Sequence, residues 1–432
     1  MIFILLLIAL GLCFASNRDV FSPGKFYHAY LLIFFVDIFL SEQLGYIYVI
    51  YLGFIFGGML FSMLEASVVS SRQFSRIPPK RSWIVPPHFT LVLWLLSVVP
   101  LLSQLYLIHC TGGFASLARV ISHRVVEWRG MGALLMLITL ISPINVVYFA
   151  IGLISIKRRA GVWWALYVAH LLLFAVIAAL QGSRGFILGQ VLLMMVAVNY
   201  LRGPIKLRSA FIGGAVLLVS AALLGAIRNN LTALHDLDSL KDMRGGIVNL
   251  KMFSYGIDPL NTIFADDFSE FQYGKTFLTP LTNYVPRQIW PEKFESGGVV
   301  LTKFWLGYDY TGLTHMSPGI VAESILNFGY PVGILWGFSM LALVILLSVR
   351  FYGYASAYIH RSSGLTCVYL VLIYASVAQI PGSLLFGEFQ NHVGGLLIRL
   401  VLLSAVILAL RLRIHPRFAH IERQDVMSSK CM

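Results

Sequence analysis

Five basic residues stand where an anion could be held against an apolar surface. Arg184 lies between two apolar segments, flanked by Gly182 and Gly185, and glycines let a backbone come close to a ligand. Arg228 ends an apolar run, Arg287 follows Pro286 in a fixed turn, and Lys293 comes six residues later. Arg399 sits inside the apolar stretch Gly394-Gly-Leu-Leu-Ile-Arg-Leu400. A guanidinium stays charged at any relevant pH and donates in parallel to phosphate. Such a set points to stabilisation of negative charge near a membrane face. Four of them also have a plainer reading. Arg184 can snorkel at an interface, Arg228 can mark a span boundary, Lys293 can be a solvated loop lysine, and Arg399 can reach outward to lipid phosphate.

Proton transfer has its own candidates in His315, Glu323, Asp309 and Glu388, with His392 in reserve. A neutral imidazole suits a general base near pH 7, and His315 is equally readable as an ordinary loop histidine. Glu323 reads first as structural, a favourable charge at a helix start or a holder of an arginine. No metal is expected: the nearest Asp-x-Asp, Asp236-Leu-Asp238, has no second ligand feature beside it. Cys13, Cys110, Cys367 and Cys431 are scattered, with neither metal-ligand nor disulfide spacing.

These side chains must be positioned by a membrane protein. Of 432 residues, 58% are hydrophobic and 12% charged, and the mean hydropathy is +0.81. A water-soluble fold cannot hide that much apolar surface, so the expected class is an all-α, polytopic membrane bundle. Eleven runs are candidate spans: 2–16, 27–41, 45–68, 88–109, 131–154, 161–180, 186–201, 209–227, 318–349, 363–381 and 393–411. Basic clusters at 72–81, 157–159, 202–208, 350–361 and 411–423 are separated by two spans each, so all can face the cytoplasm together. The net charge of +13 then reports these loops rather than a nucleic-acid surface. The C-terminus is expected inside and the N-terminus outside.

Ten of the 19 acids fall in 228–317, a loop of about ninety residues on the outer side. Loops of that length are functional or disordered, and this one carries too many aromatics for disorder. Tyr284, Trp290 and Trp305 are placed to stack on sugar rings; the alternative is the usual interfacial belt. Pro280, Pro286 and Pro291 read as an irregular middle, with helices at 246–266 and 318–329. The chain therefore divides into a membrane bundle of eight spans (1–227), a large outer loop domain (228–317), three further spans (318–411) and a basic tail (412–432).

Two stretches carry a resemblance. Leu281-Thr-Asn-Tyr-Val-Pro-Arg-Gln-Ile-Trp-Pro-Glu-Lys293 contains a Pro-Arg-x-Ile-Trp-Pro-x-Lys turn. A second element is formed by Glu323, Asn327, Phe328, Gly329 and Gly333. Together with Gly182-Ser-Arg-Gly-Phe186 they resemble the bacterial O-antigen polymerases (Wzy-type), which join oligosaccharide repeat units. The resemblance implies a GT-C-like glycosyltransferase of the inner membrane with no cofactor. Its substrate would be a polyprenyl-diphosphate-linked oligosaccharide, and a chain-length regulator and a flippase would be its partners. With such a substrate, Arg184, Arg228, Arg287, Lys293 and Arg399 are the candidates to meet the diphosphate, Arg184, Arg287 and Lys293 from within the resembling stretches and the others from their placement near span ends. Tyr284, Trp290 and Trp305 would meet sugar, and His315 and Glu323 would serve the reaction. Two other functions share much of this pattern: an O-antigen ligase-like transferase, and a transporter or flippase of lipid-linked sugars. The transporter reading lacks the internal repeats and charged broken helices usual in that class.

Overall fold

The structure is a computed structural model that describes the chain except residues 1, 40–44, 72–82, 123–126, 129, 157–159, 183, 234–255, 266–267, 284, 286–288, 308–314 and 413–432. Side chains at 69–71, 118, 122, 156, 160, 184 and 221–233 are likewise outside the description. What it describes is a helical membrane protein: 80% of the described residues are helical.

Among the described residues, seven helical stretches are long and apolar enough to cross a bilayer. They are α3 (Gly45–Ser71), α4 (His88–Cys110), the pair α6 (Gly132–Thr139) and α7 (Ile141–Ile154), α8 (Ala160–Leu180), α15 (Val332–Ile359), α16 (Gly364–Val377) continued by α17 (Ile380–Ser383), and α18 (Gly395–Arg411) entered through a π turn at Gln390–Gly394. Three shorter apolar helices join them, α1 (Ile2–Ser16), α9 (Arg184–Leu201) and α14 (Gly319–Phe328), together with α10 (Leu207–Ala233), which is apolar over its first part, Leu207–Ser220. α2 (Pro23–Phe34) has twelve residues, about 18 Å of helix, and a 3-10 turn at Val36–Phe39 follows it. The span expected at 27–41 is therefore too short to cross unaided.

The expected span at 318–349 is two helices. α14 stops at Gly329, whose φ of +73° suits only glycine without strain, and α15 starts after Pro331. The two lie in close contact: a Cβ on Gly333 would fall 2.5 Å from the Ile325 Cα. A side chain there would force the helices apart.

Five connections gather at one end of the bundle. Strand β1 (Trp83–Ile84) pairs in parallel with β2 (Ser155–Ile156), and the Trp83 indole packs on Gly364. Arg411 donates to the Thr366 hydroxyl at 3.2 Å. The 203–207 turn shares a cavity with His360. These contacts place the ends of the basic loops together, as the alternation of charge requires. α15 and the α16–α17 span run from this basic end to the opposite one, where α14 packs.

The described apolar side chains form two large cores. One joins α4, α7, α8, α9, α16 and α18. The other joins α1, α2 and α3 to α14, α15 and residues 384–386. Three short helices of the long loop belong to or border this second core: α11 (Asp258–Ala265), α12 (Lys275–Thr282) and α13 (Gly297–Trp305). Ile257, Leu260, Ile263, Phe268 and Leu301 are buried in it. The described part of the loop is thus built onto the bundle rather than around a core of its own. Of the helix expected at 246–266, only 258–265 falls within the described residues as helix. Pro280 lies inside α12, contrary to the irregular middle expected; the Thr276 carbonyl, which would accept the N–H that proline lacks, accepts the Thr279 hydroxyl instead.

Candidate functional site

The site forms where four separate stretches meet at the end opposite the basic loops. After α17 the chain does not continue as a helix. Residues 384–388 run irregularly beneath α14, and the Ile320 N–H donates to the Leu384 carbonyl at 2.8 Å. Gly319, with φ +67°, lets the start of α14 press onto this segment; a Cβ there would lie 2.4 Å from the Leu385 oxygen. Glu388 is delivered by this bend and is buried.

Both Glu388 carboxylate oxygens are engaged. One accepts the Gly298 N–H at 2.7 Å, at the start of α13. The other faces His315 Nε2 at 3.6 Å. Burial alone would raise the Glu388 pKa, but the interaction with His315 and the Gly298 N–H outweigh it and hold the carboxyl below its ordinary value. His315 itself is part-open to solvent, its side chain 32% accessible. An imidazole exposed on one side, with a buried carboxylate behind it, is the arrangement of a base and its orienting partner.

Glu323 lies next to this pair, and its environment has the opposite effect. It is the fifth residue of α14 rather than its first, and it is fully buried. The reading as a helix-start charge is corrected accordingly: no acid stands in the first turn of α14. Glu323 Oε2 accepts the Phe389 N–H at 2.7 Å, while Oε1 is buried with no partner. Burial, with the nearby Glu388 charge, pushes the Glu323 carboxyl up to about 8. Two neighbouring carboxyls therefore differ in ionisation at neutral pH, Glu323 as the acid and Glu388 as the anion. Gly297 and Gly298 make the approach possible. A Cβ on Gly297 would sit 2.7 Å from Glu323 Cδ, and one on Gly298 would sit 2.3 Å from His315 Nε2.

The second motif element explains how α14 is fixed. Asn327 Nδ2 donates to the Thr276 hydroxyl at 2.7 Å and to the Glu323 carbonyl at 2.8 Å. Its Oδ1 accepts the Gly274 N–H at 2.8 Å. Tyr273 and Gln272 donate backbone N–H groups to the carbonyls of Asn327 and Leu326. Asn327 thus pins the start of α12 to the end of α14, as Glu323 pins the 388–389 bend to its middle. The spacing Glu323, Asn327, Gly329, Gly333 is a packing device around the site.

Arg399 lies twelve residues from the Arg411 end of α18, near the middle of its span. It opens on a small cleft whose wall includes Ser142, Leu193, Ser376 and Leu403. An ionisable group at such depth needs a partner or a polar cavity. His392, on the π turn, is within electrostatic reach of both Arg399 and Glu388, and its N–H donates to the Glu388 carbonyl at 3.3 Å. His392 therefore stands between the Glu388 cluster and the arginine. The sequence offered Glu388 and His392 only as secondary candidates. The available signal was their closeness, four residues apart, to the break after Pro381-Gly382.

The other sequence candidates are distributed differently. Lys293 Nζ donates to the carbonyls of Asn283 and Val285 at 3.0 and 3.1 Å, which ties its own turn together. Trp290 packs on Phe294, and Trp305 is exposed at the end of α13. Arg184 opens α9 and Arg228 lies within α10, which continues past it to Ala233; their side chains are outside the description. Tyr284 and Arg287 lie outside the described residues. Among the described residues, no three His, Cys, Asp or Glu side chains gather to hold a metal ion. No protein-family model matches the chain, and neither a curated protein nor a solved structure matches it.

Proposed function

We propose that the chain is a membrane glycosyltransferase that polymerises polyprenyl-diphosphate-linked oligosaccharide repeat units, with the basic end cytoplasmic and the Glu388 end on the outer face. The observation that carries this reading is the His315–Glu388 pair beside the fully buried Glu323. It is a proton-accepting site at the membrane end opposite the basic loops, with an arginine deeper in the bundle. In the reaction, an acceptor sugar hydroxyl attacks C1 of the donor sugar and gives its proton to His315 Nδ1, since Nε2 is the ring nitrogen that faces Glu388. The bond from C1 to the diphosphate oxygen breaks, and the electron pair leaves with the diphosphate. Glu388 keeps the imidazole oriented and supports its charged form. Arg399 is the candidate for holding the leaving diphosphate, with Arg184 and Arg287 as further candidates on the strength of the family resemblance.

The test is direct. Purified protein in lipid nanodiscs is supplied with lipid-linked repeat units, and the products are resolved by length. A ladder of dimers and longer chains is expected from the wild type, and its loss is expected in His315→Ala. Absence of any ladder from intact protein, with the substrate merely moved across the bilayer, would replace the enzyme by a transporter. Transfer to a lipid A core without repeat-unit extension would replace the polymerase by a ligase.

A further inference from the structure

A second site lies at the basic end, far from the cluster around Glu388. A cavity of about 1040 Å³ opens between the end of α1, the 17–20 turn, the end of α9 and the 203–207 turn. Its floor is a closed polar network. Asp19 Oδ2 accepts from the Tyr200 and Tyr352 hydroxyls, the latter at 3.1 Å. Asp19 Oδ1 accepts the Phe21 N–H at 3.1 Å and the Asn199 amide at 3.3 Å. The one acid in the lining is thereby occupied by donors, and its charge is largely spent inside the wall.

The cations of the same cavity are not spent in this way. Arg18 and Lys206 are exposed and form no ion pair among the described residues. Lys25 reaches the Asn17 carbonyl and lies 5.7 Å from the Phe14 ring centre. The cavity therefore presents positive charge over an apolar wall. That wall continues into the bilayer. Phe14 on α1 meets Phe211 on α10 with ring centres 6.2 Å apart. Beyond them Leu7, Ile8, Ile212 and Val216 are exposed on the facing helices. An anionic head beside Arg18 and Lys206 would leave an aliphatic tail lying along α1 and α10.

We propose that this cavity binds a lipid with a phosphate monoester or similarly anionic head. The site would hold the head at the Arg18–Lys206 rim and the first part of the tail against Phe14 and Phe211. It does not depend on the glycosyltransferase reading, because none of its residues belongs to that site.

The full chain in detergent is to be examined by native mass spectrometry with phosphatidic acid and with phosphatidylcholine of equal chain length. Wild type is expected to retain phosphatidic acid in preference. The Arg18→Gln/Lys206→Gln double variant should lose about thirtyfold in that retention, since each of the two basic residues near such a head contributes about 1 kcal/mol. Arg18→Lys/Lys206→Arg should retain it. Both positions are exposed, so the variants should fold, and an unchanged unfolding temperature checks that. Equal retention of the two lipids, or no loss in the double variant, overturns the proposal. Displacement of the lipid by millimolar inorganic phosphate would make this a free-phosphate site and would overturn the lipid assignment.

Discussion

Gly298 and Glu388 are ninety residues apart and joined by a 2.7 Å hydrogen bond from backbone N–H to carboxylate. The bond requires a residue with no side chain, because a Cβ on Gly298 would fall 2.5 Å from the same carboxylate oxygen. Gly298→Ala should therefore displace Glu388 and His315 together. A loss of about 1–3 kcal/mol in stability is expected from forcing a methyl into this space, along with loss of ladder formation. An unfolding curve and a product-length assay on the same preparation check both. Full activity in Gly298→Ala would show that the contact is not needed.

Glu323→Gln tests the buried acid. A carboxyl whose folded pKa is raised to about 8 prefers its protonated form in the folded state. As pH rises from the ordinary glutamate value near 4.5, the unfolded chain ionises while the folded chain does not, so stability falls until about pH 8 and then levels. Gln removes that slope. Gln can also accept the Phe389 N–H, so its fold should persist. The variant should gain on wild type in unfolding temperature as pH goes from 5 toward 8, and a constant difference across that range would contradict the raised pKa.

Asn327→Leu keeps the branched shape but removes three polar links to the 273–276 segment and within α14. The Gly274 N–H and the Thr276 hydroxyl lose their partner. Each buried group left unpaired costs about 1–3 kcal/mol, so the variant should be clearly destabilised. Hydrogen exchange should quicken first at Gly274 and Thr276, and exchange unchanged there would remove the clamp from the account.

Arg399 can be separated from mere structural charge by two substitutions. Arg399→Lys keeps the charge and loses the planar fork; Arg399→Ala loses both. If Arg399 holds diphosphate, ladder formation should fall in the order wild type, Lys, Ala, with the Lys variant regaining part of the activity as donor concentration rises. Equal activity in all three would leave Arg399 with a role in packing alone.

The class of the molecule was legible without a structure, because length and hydropathy are local properties: about twenty apolar residues suffice to cross a bilayer. The charge alternation likewise put the basic clusters 72–81, 157–159 and 350–361 at one end, and the contacts of described residues beside them, Trp83 with Ser155 and Trp83 with Gly364, agree. What failed was continuity. The apolar run at 318–349 reads as one span, although Gly329 and Pro331 mark the break that the structure uses.

His315 and Glu323 were named from the sequence, but their relation to Glu388 was not readable there. Glu388 meets Gly298, His315 and Glu323 only because residues 384–388 leave the helix and pass beneath α14. A hydrophobic pattern records which face of a helix is buried, whereas a hydrogen bond between residues 66 or 90 positions apart depends on how the helices are stacked. The sequence by itself determined a helical membrane chain with its charge sorted to one end. The tertiary structure decided that two glutamates of opposite ionisation would share one site, since burial and the partners brought by distant segments, rather than residue type, set their protonation.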